Sequence, residues 1–196
     1  MKRENKFYVA GHTGLLGSAC VSVLEQSGYK VLTRPHEQLD LTNTRAVNLF
    51  FKENSPSHVI LAAGKVGGID LNIKRPAYLM SNNLQIQLNV MNAARETNVS
   101  RMIVFGSSCM YPKETRQPMS ECDLLSGIPE KTSLPYAISK MAGVYLALAM
   151  NKEDQNNRFI PVIPNSVYGP NDNFDENTGH VLSALTARFT AAVKND

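Results

Sequence analysis

Apolar and polar positions fall into two alternating patterns along this chain. Short, nearly continuous apolar runs occur at Lys6–Ala10, Tyr29–Thr33, His58–Ala63, Arg101–Gly106 and Phe159–Pro164. Runs of this length suit parallel strands buried on both faces. Pro161 removes a ladder donor, so the fifth run belongs at an edge or a strand start. Between the runs the spacing is helical. Leu16, Ala19, Cys20, Val23 and Leu24 form one stripe, ended by Gly28; Ala46, Val47, Phe50 and Phe51 form another, capped by Thr42. From Pro76 to about Asn98 there are two stripes, Leu79, Ile86, Val90 and Ala94 on one and Leu84, Leu88 and Met91 on the other. Two stripes predict packing on two sides, the sheet and either a partner subunit or the rest of a larger domain. A helical tail follows Gly179-His180 and carries Leu182, Leu185 and Phe189. Strand and helix in strict alternation predict an α/β fold, a doubly wound parallel sheet of the Rossmann type.

The first strand runs directly into Gly11-His-Thr-Gly14-Leu-Leu-Gly17. Gly11 permits a tight turn, Gly14 lets backbone approach a pyrophosphate, and Gly17 lets the helix pack close to the strand, while the helix N-terminus offers free N–H groups. This context predicts dinucleotide binding. The residue closing the second strand is Arg34 rather than an acid. A carboxylate there would bond the 2′-hydroxyl of NAD, whereas a guanidinium can take a 2′-phosphate, which predicts NADP(H). His12 can add to the same phosphate site, and Asp40 is either a ribose or adenine contact or a turn residue.

The fourth strand delivers Ser107-Ser108-Cys109 to the carboxyl edge of the sheet, where ligands of such folds sit. The next helix begins Pro135-Tyr-Ala-Ile-Ser-Lys140, and Tyr136 and Lys140 share one of its faces. A phenol of pKa roughly 10 is a poor base near neutrality, and an adjacent cation brings proton exchange within reach. Two hydroxyls, a thiol, a phenol and an ammonium at one edge make a candidate catalytic constellation.

Composition narrows the picture by exclusion. A chain of 196 residues, 43% hydrophobic and 19% charged, suits one well-cored globular domain and part of a second. The net charge of +3 is spread out, with no basic run beyond Lys2-Arg3, so nucleic acid is not the expected partner. No apolar run is long enough for a membrane span. Cys20, Cys109 and Cys122 form neither a metal pair nor a disulfide framework, and His12, His36, His58 and His180 are scattered, so no metal is expected and cytoplasm fits best.

The order Gly-x-x-Gly-x-x-Gly, Ser-Ser-Cys, Tyr-x-x-x-Lys and Tyr168-Gly-Pro170 resembles the extended short-chain dehydrogenase/reductase superfamily. Lys65-Val-Gly-Gly-Ile69, Gly106-Ser-Ser-Cys-Met-Tyr-Pro112, Pro135-Tyr-Ala-Ile-Ser-Lys140 and Tyr168-Gly-Pro-Asn-Asp-Asn-Phe174 look more narrowly like the GDP-L-fucose synthase family, NADPH-dependent 3,5-epimerases and 4-reductases acting on GDP-4-keto-6-deoxy-D-mannose. The resemblance implies that Tyr136 donates a proton to the C4 oxygen, Lys140 assists it and touches the ribose, and Ser107 bonds the keto oxygen. Cys109 and His180 match the epimerisation pair. A C4 ketone acidifies the protons at C3 and C5, so an acid and a base either side of the ring can invert those centres before hydride transfer. The resemblance also implies cofactor contacts from Gly11, His12, Thr13, Gly14, Leu15, Leu16, Gly17, Arg34, Asp40, Ala62, Ala63, Phe105, Gly106, Ser107, Ser108, Lys140, Pro164, Asn165, Ser166, Val167 and His180. Substrate contacts would come from Lys65, Asn165, Ser166 and Arg188.

Two departures from the family pattern are Asn165-Ser166 where Thr-Asn is usual and His12 where arginine is frequent, which keeps a related GDP-4-keto sugar or heptose open as substrate. A 4,6-dehydratase would want a carboxylate where this chain has Cys109. The expected organisation is an NADP-binding domain at 1–172 and the beginning of a smaller substrate domain at 173–196, with an inactive NADP-binding fragment as the other outcome. A homodimer through the helices at 77–98 and 135–152 is expected.

Overall fold

A computed structural model describes residues 5–175 and 179–194. Five parallel strands, β1 (Lys6–Ala10), β2 (Lys30–Leu32), β3 (His58–Leu61), β4 (Arg101–Phe105) and β5 (Phe159–Val162), form one sheet in the order β2-β1-β3-β4-β5. The chain leaves β1 towards β2 on one side and returns to build β3, β4 and β5 on the other, so strand order reverses at β1 and β3. That reversal opens a crevice at the carboxyl ends of the two strands. β5 is an edge strand of this sheet, paired through its Pro161 register only with Val104 of β4, which accommodates the missing donor.

The helices are α1 (Leu15–Gln26), α2 (Thr44–Asn54), α3 (Ile69–Lys74), α4 (Pro76–Glu96), α5 (Leu134–Glu153) and α6 (Val181–Lys194). Tyr8, Ala10, Val59, Leu61, Met102 and Val104 of the sheet pack with Val47 and Phe51 of α2, Val90 and Ala94 of α4 and Ala147 and Met150 of α5. Tyr8, Phe50 and Phe51 add tilted and edge-on ring contacts at 4.6 to 5.9 Å.

Three local expectations change. The cap of α2 is Asn43, whose side chain accepts from the Ala46 N–H; the Thr42 hydroxyl is instead donated to Asp40. The loop after β3 leads into the short helix α3, whose N-cap is Gly68. The second stripe of α4 is not a continuous outer face, because Met91 is buried in the sheet core while Leu88 is exposed. What periodicity does not reveal on α4 is polar: Asn83, Gln87 and Asn89 are buried, and each bonds a different neighbouring segment.

Candidate active site

The glycine turn is built by contact rather than by composition alone. Gly11 has φ +82° and a Cβ there would lie 2.6 Å from the backbone of Ala63; a Cβ on Gly17 would lie 2.0 Å from the Gly11 carbonyl. Strand, turn and helix therefore close on one another only with glycine at both places. Gly14 differs, since a Cβ there would meet nothing nearer than the Gly11 carbonyl at 3.7 Å. Its lack of a side chain leaves backbone open in front of α1, and Gly14, as the N-cap, offers α1 no side-chain cap. The first N–H groups of α1 are thus available to an external anion.

This turn forms one wall of a cleft of about 380 Å³. Gly11, His12, Thr13, Gly14, Arg34, Asp40, Ala62, Ala63 and Lys65 all line it, so the structure gathers residues from the ends of β1, β2 and β3 as the sequence predicted. Nδ1 of His12 is buried without a hydrogen-bond partner. Arg34 stands with its guanidinium 5.5 Å from the Phe50 ring centre and donates to the Thr33 carbonyl at 2.7 Å. Asp40 is a turn residue that also stands at the cleft. It lines the cleft and also closes a turn, accepting from the Thr42 N–H and hydroxyl at 2.9 and 2.7 Å, and these bonds hold its carboxyl below the usual carboxylate range. His36, Tyr78 and Asn82 also face the cleft and were missed. Tyr78 and Asn82 lie one turn apart at the start of α4, a spacing that could have flagged them.

At the end of β4 the second half of the site comes together. Gly106 is packed so that a Cβ would lie 2.8 Å from Met110. Phe105 ends β4, and Ser107 caps the short 3-10 helix Ser108–Met110, its hydroxyl accepting from the Cys109 N–H at 3.3 Å. Ser107 and the exposed Cys109 both lie close enough to the Tyr136 phenol to act on its ionisation, Ser107 favouring the charged form and Cys109 opposing it. Ser107, Cys109 and Tyr136 are therefore one cluster. Burial, then the Cys109 charge, push the Tyr136 phenol up to about 12 against the opposing effect of Ser107. The expected lowering by Lys140 is not what governs this phenol. Lys140 is 8% exposed, and burial lowers its ammonium to about 8. Loss of solvation disfavours both charges at once, so the pair favours neutral phenol and a readily lost lysine proton. A protonated phenol is the form that a proton donor to a ketone oxygen requires.

The remaining predicted residues are placed less closely. Leu15, Leu16 and Gly17 open α1, and Pro164 to Val167 follow β5 in a loop where Ser166 has φ +51° and donates its hydroxyl to the Asn165 side chain at 3.1 Å. That loop returns over α1, where Asn171 donates to Ser18 at 3.2 Å. His180 is 60% exposed at its side chain, 3.7 Å from the Asp172 carboxylate, and that carboxylate also accepts from Ser183. Arg188 is exposed on α6.

The model of the NAD dependent epimerase/dehydratase family matches residues 7–194. The chain belongs to this family. Within it, the chain is 44% identical over 194 residues to GDP-L-fucose synthase 1 of Arabidopsis thaliana, covering 98% of this chain and 60% of that protein. A GDP-D-glycero-L-gluco-heptose synthase of Campylobacter jejuni, solved in the presence of NADPH, superposes with a TM-score of 0.89 at 34% identity, over 96% of this chain and 55% of that one. A GDP-L-fucose synthetase of Naegleria fowleri bound to NADP gives 0.89 at 26%, over 100% of this chain and 64% of that one. The chain spans about 60% of the length of the curated relatives it matches.

Proposed function

We propose that this epimerase/dehydratase-family chain carries the cofactor half and the reducing corner of an NADPH-dependent enzyme that converts GDP-4-keto-6-deoxy-mannose to GDP-L-fucose. The observation that carries the reading is the cluster of Ser107, Cys109 and Tyr136 at the end of β4, with Lys140 buried one turn beyond Tyr136. NADP(H) fits the cleft on four counts: an open Gly14 backbone, an α1 N-terminus without a side-chain cap, an unpartnered His12 Nδ1 and Arg34 at the rim. Bound in this cleft, NADPH would supply the hydride that reduces C4 of the sugar. Tyr136, held neutral, gives its proton to the C4 oxygen, which Ser107 orients, and Lys140 lies one turn along the same helix to replenish that proton. Cys109 and His180 act as the acid/base pair at C3 and C5, each oxygen-stabilised carbanion drawing on the same ketone.

In this reading residues 1–172 form the NADP-binding domain and 173–196 begin the substrate domain, where Arg188 meets the nucleotide and Lys65, Asn165 and Ser166 meet the sugar side. The protein works as a cytoplasmic homodimer through the outer faces of α4 and α5, on which Leu88, Tyr145 and Leu148 are exposed. Among the described residues no helix is long and apolar enough to cross a membrane.

A second reading is a 4-reductase or epimerase on a related GDP-4-keto heptose. It is favoured by the Campylobacter heptose synthase likeness and by His12 and Asn165-Ser166. Proton exchange separates the two. Full-length protein with substrate and a non-reducible cofactor in heavy water should exchange the protons at C3 and C5 of GDP-4-keto-6-deoxy-mannose, and Cys109→Ala should abolish this. Exchange undiminished in Cys109→Ala makes the thiol structural; no exchange in the parent, together with turnover of a GDP-4-keto-heptose, establishes the second reading.

A further inference from the structure

Gln87 reaches from α4 into the turn of α5 that separates Tyr136 from Lys140. It is 4% exposed, and its Nε2 donates to the carbonyl of the fully buried Ser139 at 2.8 Å. Ser139 in turn donates its hydroxyl to the Tyr136 carbonyl at 2.7 Å, tying the start of the same turn. The far end of the amide is placed differently. Oε1 is buried with no hydrogen-bond partner and occupies the space a side chain at Gly143 would need, since a Cβ there would lie 2.0 Å from it. Gly143 is therefore the opening through which the amide enters the helix pair.

A buried acceptor left dry is unfavourable, and an apolar side chain of the same size would fill the gap without that loss. Stability alone does not account for an amide here, but control of one carbonyl does. We propose that Gln87 is a positioning residue, which pins the Ser139 carbonyl and so fixes the turn of α5 bearing Tyr136 and Lys140 against α4. The inference rests on the catalytic reading of that pair for its consequence, because misplacement of reacting groups by about 1 Å lowers rates roughly 10²-fold. Its geometric content stands separately. Lys140 Nζ lies on the side facing Gly64, where a Cβ would be 3.9 Å from it and 2.9 Å from Asn83 Oδ1. Asn83 holds that facing loop through the backbone N–H and carbonyl of Lys65.

The test measures the surroundings of Lys140 directly, by competitive trace acetylation of the whole chain across pH followed by peptide mass spectrometry. In the parent, Lys140 should label with a midpoint near pH 8, as its burial dictates. Gln87→Met, which keeps volume and removes the donor, should move that midpoint up towards the ordinary lysine value of 10.5 as the turn loosens and water reaches the ammonium. Gln87→Asn keeps an amide one methylene too short and should do the same, which preserves the test if the Met variant fails to fold. Phe51→Leu on α2 loosens the core elsewhere and should leave the midpoint in place. A folded Gln87 variant with the parent's midpoint, or an equal shift in Phe51→Leu, overturns the positioning role. Turnover measured in parallel keeps the two proposals apart: a shifted Lys140 with undiminished reduction removes the catalytic reading of the pair and leaves the positioning intact.

Discussion

The glycine turn between β1 and α1 and the segment from Pro164 to α6 border the same carboxyl edge of the sheet, yet they are held in opposite ways. At the turn, Gly11 and Gly17 admit no added atom, and the surrounding backbone comes from β1, β3 and α1 together. Along α6, Leu182, Leu185 and Phe189 are exposed, and among the described residues the Ser183 to Asp172 bond and the His180 contact with the same carboxylate anchor its start. One region is over-determined by packing and the other rests on a few polar contacts. Under the proposed function, a cofactor that recurs unchanged suits the first arrangement, and a sugar that must be enclosed and turned over suits the second.

The largest effect should appear at the corner to which the proposed function assigns the reduction. Tyr136→Phe in the full-length protein should retain NADPH binding and reduce turnover by about 10²-fold or more, read by NADPH oxidation, because it removes a proton donor and little packing. Near-normal turnover would leave the corner as rigid scaffold, no different in kind from the turn.

Gly17→Ala probes the over-determined region itself. The added carbon has no free direction, so urea denaturation should show a loss of roughly 1–3 kcal/mol, with weaker NADPH binding in the same titration. A stability within a few tenths of the parent would mean that the turn yields.

Selectivity at the rim should be smaller. NADPH should bind at least tenfold more tightly than NADH, about 1.4 kcal/mol, and Arg34→Ala should erase most of the difference in calorimetry at equal salt. Equal affinity for the two cofactors in the parent would end the role assigned to Arg34.

A comparable but pH-limited effect belongs to Lys140. Its folded pKa, about 8, lies below the unfolded value of 10.5, so between those values the unfolded chain binds the extra proton and stability rises with pH. Burial of the charged form is unfavourable in full below about pH 8, and the difference vanishes above about 10.5. Urea midpoints at pH 8 and 9.5, below the range of ordinary tyrosines, should show a gain on the order of 1 kcal/mol that Lys140→Met abolishes. The same slope in both proteins would place the titration elsewhere.

The smallest change tests the loosely held side. Phe189 is 68% exposed, and Phe189→Ser should alter the stability of this chain by less than about 0.5 kcal/mol. A loss like that of a core aromatic would show that α6 is packed as firmly as the turn.

Much of this comparison is visible before folding. Each strand run fell where a strand forms, because a segment buried on both faces must be apolar at successive positions, and that property is local. The glycine turn and Tyr-x-x-x-Lys are legible for the same reason: their geometry is set within one or two helical turns. Pro161 marked an edge strand through a single missing donor. The cap at Asn43 was missed because Thr42, equally suited by type, is drawn away by Asp40.

What the sequence by itself determined is therefore the doubly wound fold, the glycine turn and the candidates for the reacting groups, all encoded in short-range spacing. Only the tertiary structure decided how those groups are held. Asn83 binds the Lys65 backbone 18 residues away, Asn89 the Leu41 carbonyl 48 away, and Gln87 the Ser139 carbonyl 52 away. No periodicity couples positions so far apart, and a polar residue on an amphipathic helix reads as solvent-facing until a second element is packed over it. The same distance effect set the direction of the Tyr136 phenol. Spacing along α5 suggested lowering by a lysine one turn on, but burial by the assembled walls removes water from both groups, and that loss is the largest cause of each shift.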